Sequence, residues 1–154
     1  MSKKNVSEAL RRFGESVDIP FIELDDTGMR CIQFTDELMV NIQYNESSDA
    51  LLLYAHVGTL AEDAPPSLLR MLLEANVFWQ ETAGATLSVD SSDGEVMLAY
   101  QEPAEATTPE RFETLLKNFA DAAHIWQQTI LRESESAASE VESVLPMDEI
   151  SFRA

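Results

Sequence analysis

Between Leu68 and Asn76 the chain reads Leu-Leu-Arg-Met-Leu-Leu-Glu-Ala-Asn, a short helical segment that is apolar around most of its circumference. A surface helix lying on one neighbour carries a single apolar stripe, whereas Leu68, Leu69, Met71, Leu72, Leu73 and Ala75 leave almost no polar face. Such a segment needs cover on two sides, one from its own core and one from something else. In a chain of 154 residues that second surface reads as another copy of the same chain.

Length and composition set the frame for this helix. One domain of this size buries roughly 70% of the surface its unfolded chain would expose, so a real core is available. Apolar residues at 45% and charged residues at 25% are ordinary globular values and exclude a wholly disordered chain. No apolar run approaches the roughly 18 residues that a spanning helix requires. The opening Met-Ser-Lys-Lys-Asn-Val-Ser-Glu lacks the apolar stretch of a secretory signal, which makes the cytoplasm the expected compartment. Cys31, the single cysteine, stands in an alternating stretch and reads as strand packing. A formal charge of −18 argues against nucleic acid, because phosphate binding needs clustered Lys and Arg. The same charge would tolerate or attract a basic partner.

The order of elements predicts an α+β domain. Val6, Ala9, Leu10, Phe13 and Val17 follow helical spacing over about residues 4–17. Met29 to Phe34 and Leu38 to Tyr44 alternate as strands, and Ala50 to Val57 is apolar enough to be a strand covered on both faces. Pro65-Pro66 then starts the helix described above. Val77, Phe78 and Trp79 follow it as apolar bulk that must pack somewhere. Ala85 to Val89 and Val96 to Tyr100 alternate around Asp90-Ser-Ser-Asp-Gly94, a hairpin signal. Thr107 or Thr108 can cap a final helix, with Glu110 placed for a capping box with Thr107. Phe112, Leu115, Leu116, Phe119, Ala123, Trp126 and Ile130 supply that helix's apolar stripe. Residues 1–131 therefore form the domain. Residues 132–154, with six acids against two bases, read as a solvated, flexible acidic tail. A functional rival reading lets Val141 to Leu145, or Ile150-Ser-Phe152, dock on the chain or a partner.

Chemistry is sparse. His56 and His124 are too few for a histidine metal cluster and read as structural. Asp90, Asp93 and Glu95 fail as a calcium loop, because Gly94 is fifth from Asp90 where an EF-hand needs its glycine sixth. There is no phosphate-binding Gly-Lys-Ser/Thr loop and no Gly-x-Ser-x-Gly elbow. The expectation is no catalytic residue, no metal and no cofactor, and a protein that is not an enzyme.

The sequence of helix, three strands, helix, two strands, helix resembles the class I type III secretion chaperones, the CesT or Tir chaperone family, over residues 4–131. The resemblance rests on Gly28-Met-Arg-Cys-Ile-Gln-Phe34, on the strand ending His56-Val-Gly-Thr-Leu60, and on Leu72-Leu-Glu-Ala-Asn76. Gly84-Ala-Thr-Leu-Ser-Val-Asp90 and Phe112 to Trp126 complete it. It implies a twisted antiparallel sheet flanked by helices and a homodimer. It also implies nucleotide-independent binding, in the bacterial cytoplasm, of the extended N-terminal region of a secreted effector, kept competent for export. Extended peptides bind by strand addition and by placing apolar side chains in surface pockets. The residues expected to bind the partner are Leu10, Phe13, Phe34, Val40 and Ile42. Those expected at the dimer interface are Leu69, Leu72, Leu73, Leu87 and Val89, with Leu72→Asp expected to break the dimer. Two alternatives stand beside this reading. A regulatory module of the same fold could sequester a protein partner outside secretion, or an enzyme could use acids the sequence does not single out. Capture of one protein through its N-terminal segment favours the chaperone, and turnover by the isolated chain favours the enzyme.

Overall fold

The computed structural model describes residues 2–151, with side chains through residue 140. The first helix, α1 (Lys3–Ser16), turns Val6, Ala9, Leu10 and Phe13 inward at helical spacing. Its outer face is laced by Arg11 to Glu8 and Glu15 and by Arg12 to Glu8. The helix stops because the chain folds back over Gly14: the Ile19 N–H donates to the Gly14 carbonyl, and a Cβ on Gly14 would lie 2.6 Å from the Ile19 oxygen.

Five strands follow in the spatial order β1 (Met29–Gln33), β2 (Met39–Asn45), β3 (Ala50–Thr59), β5 (Glu95–Pro103) and β4 (Thr86–Val89), every neighbouring pair antiparallel. The pleat sorts them into two faces. Ile32, Val40, Ala55, Leu98 and Leu87 are buried on the inner face. The outer row, Cys31 opposite Asn41, Asn41 opposite Tyr54, Tyr54 opposite Ala99 and Ala99 opposite Thr86, is exposed or half-buried.

Both long helices lie on the inner face. Phe112, Leu116, Phe119, Ala123, Trp126 and Ile130 line the buried side of α3 (Pro109–Ser151), and Phe112 meets Phe13 of α1 edge to face, with ring centroids 6.3 Å apart. Ile130 reaches across β3 at Gly58, where a Cβ would come within 2.7 Å of its Cγ2; glycine is needed there for the helix to settle on the strand. The helix α2 (Pro66–Ala75) sits beside β4 and the flank of α3 rather than across the outer face. The element order and the antiparallel α+β sheet thus match the sequence expectation.

Four local expectations need correction. β3 is central but covered on one face only: Leu52 and Tyr54 are half-buried and His56 exposed, since all three helices leave the outer face open. Cys31 is likewise on that open side and exposed, not packed. The final helix is capped by Thr108, whose Oγ1 accepts the Arg111 N–H at 3.3 Å, while Thr107 is extended and buried, so no capping box forms with Glu110. Finally, α3 does not stop where the composition changes at Arg132 but continues to Ser151. The suggested docking segments, Val141 to Leu145 and Ile150 to Phe152, lie outside the residues whose side chains are described.

Candidate protein-binding site

The first feature is an apolar rim at the β4 end of the sheet. On α2, Leu68, Leu72 and Ala75 point into the core, whereas Leu69 is exposed and Leu73 is 71% exposed. Just past the helix, Val77, Phe78 and Trp79 form a short 3-10 turn in which none is buried, and Val89 of β4 is exposed as well. Phe78 and Trp79 both hold φ of 54°, a left-handed conformation that costs a bulky residue on the order of 1 kcal/mol or more. Local bonds hold this arrangement. The Trp79 indole N–H donates to Thr86 Oγ1 at 3.3 Å and its carbonyl accepts from Gly84 N–H at 3.0 Å. Of the five residues expected at a dimer contact, Leu69, Leu73 and Val89 are therefore exposed, while Leu72 and Leu87 are 4% exposed core residues. Val77, Phe78 and Trp79 were not among the expected contacts; their signal was an apolar triplet directly after the helix end.

The second feature is the opposite sheet edge. Antiparallel pairing alternates residues that bond to the neighbour with residues that face away. Phe34 N–H donates to the Leu38 carbonyl and Tyr44 N–H to the Gly28 carbonyl, so the even-numbered residues of β1 face β2 and Met29, Cys31 and Gln33 face outward. Met29 is already occupied, because the Asp25 backbone N–H donates to its carbonyl at 2.8 Å and its own N–H donates to Asp25 Oδ1 at 3.0 Å. The Thr27 hydroxyl, foremost, and the Met29 amide hold the Asp25 carboxyl below the usual range. Among the described residues nothing pairs with the outward groups of Cys31 and Gln33.

The residues expected to meet a partner lie mostly beneath this edge. Leu10, Phe13, Val40 and Ile42 are core residues, at 0%, 4%, 0% and 0% exposure, because α1 and α3 both land on the inner face they occupy. Phe34 alone is half-buried, at the end of β1.

Polar clusters elsewhere serve the fold. The Arg111 guanidinium grips Glu102 Oε2 at 2.7 Å and the Tyr100 hydroxyl donates to the same oxygen at 3.0 Å, tying β5 to the first turn of α3. Burial, then the neighbouring Glu102, raises the Tyr100 hydroxyl pKa. His56 Nε2 lies 3.1 Å from Thr59 Oγ1 and 3.9 Å from Glu95, all at the surface. Among the described residues no group of three His, Cys, Asp or Glu side chains could hold a metal ion, and no helix is long and apolar enough to cross a membrane.

Comparison with known proteins gives this arrangement a context. The transcriptional anti-antiactivator ExsC of Pseudomonas aeruginosa is 28% identical over 133 residues, covering 86% of this chain and 90% of that protein. The Tir chaperone of Citrobacter freundii is 27% identical over 104 residues, which span 68% of this chain and 65% of the chaperone. In three dimensions the chain is similar to a chain of the ExsC–ExsE complex, with a TM-score of 0.70 and 28% identity over 83% of this chain and 95% of the other. The family model described as Tir chaperone protein (CesT) matches residues 8–127, including both sheet edges and all of α2, and the chain belongs to that family.

Proposed function

We propose that this chain is a nucleotide-independent secretion chaperone that binds the extended N-terminal region of a type III secreted effector in the bacterial cytoplasm. It acts as a homodimer. The observation that carries this reading is the open β1 edge on a member of the Tir chaperone family: Cys31 and Gln33 offer two N–H and two C=O groups in strand register to an incoming chain. Main-chain bonds of this kind hold an extended segment with little demand on its sequence, and adjacent pockets add selectivity. Half-buried Phe34 is the apolar contact beside the edge. Leu10, Phe13, Val40 and Ile42 act from beneath it by fixing the sheet. The partner's role is export, and no step of it needs bond chemistry from this chain.

The dimer forms through the rim of Leu69, Leu73, Val77, Phe78, Trp79 and Val89. Six exposed apolar side chains on α2, the turn that follows it and the adjoining β4 mark an interaction site on an otherwise acidic protein. Because β1 and β4 are opposite ends of the sheet, a contact at the rim leaves both β1 edges free. Residues 132–154 stand outside the partner-holding domain.

Co-expression with a secreted protein encoded beside this chain, followed by limited proteolysis, tests the reading. A protected N-terminal segment of the partner is expected. A partner held through its folded domain, or no partner from any neighbouring gene, would oppose it. A second reading is favoured by the ExsC relative, whose full length is nearly covered: the same edge could sequester a small regulatory protein and so act on transcription. Deletion of the chain would then change transcription of many secretion genes, whereas loss of a chaperone removes the export of its own cargo.

A further inference from the structure

Both edges of the five-stranded sheet end in strands, yet they differ in what faces outward. On β4 the Asp90 N–H donates to the Glu95 carbonyl, so by alternation Ser88 and Thr86 bond to β5 while Val89, Leu87 and, just before the strand, Ala85 face away. Two of these three are already occupied from within the chain. Asn76, the residue that ends α2, presents its amide to Leu87 as a neighbouring strand would: Oδ1 accepts the Leu87 N–H at 2.8 Å and Nδ2 donates to the Leu87 carbonyl at 3.1 Å. Thr82, fully buried, does the same for Ala85, whose N–H donates to the Thr82 carbonyl while its own carbonyl accepts the Thr82 hydroxyl. Only Val89 keeps both outward groups, at the last position of the strand. An incoming strand gains a ladder only where successive outward residues are free, and β1 supplies such a pair in Cys31 and Gln33.

We propose that Asn76 and Thr82 form a latch that closes the β4 edge and so confines strand addition to β1. Native proteins cover sheet edges because bare ones recruit other chains. Here the cover is selective, and its position matters. Asn76 joins the rim-bearing helix to the edge strand, so a second copy arriving at Leu69 and Leu73 meets side chains rather than a bare ladder. The two kinds of contact are thereby separated, with backbone pairing at one end of the sheet and apolar side-chain packing at the other. This inference rests on the reading of β1 as the strand-accepting edge, but it can be tested without any partner.

The test compares the full chain with its Asn76→Ala variant by amide exchange and light scattering, alone in solution. Loss of the latch is expected to speed exchange of the Leu87 amide by about tenfold or more, leaving Cys31 and Gln33 unchanged. With rising concentration the variant should form species heavier than the wild type, and in those species Leu87 and Val89 should regain protection as the bared edges pair. Thr82→Val frees only the Ala85 carbonyl, because the Ala85 N–H stays on the Thr82 backbone carbonyl, so it should add to association without speeding Ala85 exchange. If Asn76→Ala does not fold, Asn76→Asp keeps the acceptor for the Leu87 N–H, removes the donor to its carbonyl, and should give a smaller change in the same direction. Unchanged Leu87 exchange would overturn the latch, and so would faster exchange without added association. Failure of the chaperone reading would show elsewhere, as a captured partner that leaves Cys31 and Gln33 unprotected.

Discussion

Arg111 is half-exposed, but the carboxylate it holds is not: Glu102 is 5% exposed, and its Oε1 has no hydrogen-bond partner among the described residues. Removing the cation leaves the buried Glu102 carboxylate without its counter-charge, so Arg111→Ala should destabilise the fold, read as a lower denaturant midpoint. Asp25 gives a pH-dependent counterpart. Its folded-state pKa is lowered, so its contribution is present at neutral pH and is lost as pH falls through that depressed value. Chemical denaturation of wild type and Asp25→Asn should therefore differ at neutral pH and converge in acid; a gap that persists well below the carboxyl range would exclude Asp25 as the cause. At this scale the sequence was least informative. It offered both Thr107 and Thr108 as caps, and only the burial of Thr107 and the bond from the Arg111 N–H to the Thr108 hydroxyl separate them. Cys31 alternates with Ile32 in any strand, and nothing local says which of the two faces the helices.

Elements were far more legible than their faces. Helical spacing placed α1 and α3 and alternation placed β1, β2, β4 and β5, because those patterns reflect burial repeated over many residues, while β3 was marked by an unbroken apolar run and α2 by its all-round apolar surface after Pro65-Pro66. Which strand face is covered depends on where α1 and α3 land, a tertiary fact, and so the continuous apolar run of β3 looked doubly covered while Leu52 and Tyr54 remain half-open. The same limitation put Leu10, Phe13, Val40 and Ile42 on a partner surface. For α2 the all-round apolar pattern did carry usable information, since the inward and outward sets can be separated once its flank is known. Leu73→Asp should leave the melting temperature nearly unchanged and halve the mass of a rim-mediated dimer in light scattering. Leu72→Asp, at a buried position, should instead unfold the domain; a folded Leu72→Asp variant would contradict the assignment of the two faces. On β1, Cys31→Pro removes one outward N–H at a position where an edge strand tolerates proline. It should abolish partner capture while the domain stays folded, and undiminished capture would move the partner off this edge.

For the whole molecule the arrangement is polar along the sheet: an open backbone edge at β1, a latched edge and an apolar rim at β4, and a mixed, uncovered face between them. A dimer through the rim has a mass near twice 17.2 kDa, and a chain that stays monomeric at micromolar concentration would leave the rim without its second copy. The chaperone function requires a captured protein to add a strand at β1. Amide exchange of the complex against the free dimer measures this directly. Protection of the Cys31 and Gln33 amides by tenfold or more, with Leu87 unchanged, is the predicted result. Unaltered exchange at Cys31 and Gln33 in a complex that protects α2 or the outer sheet face instead would contradict it.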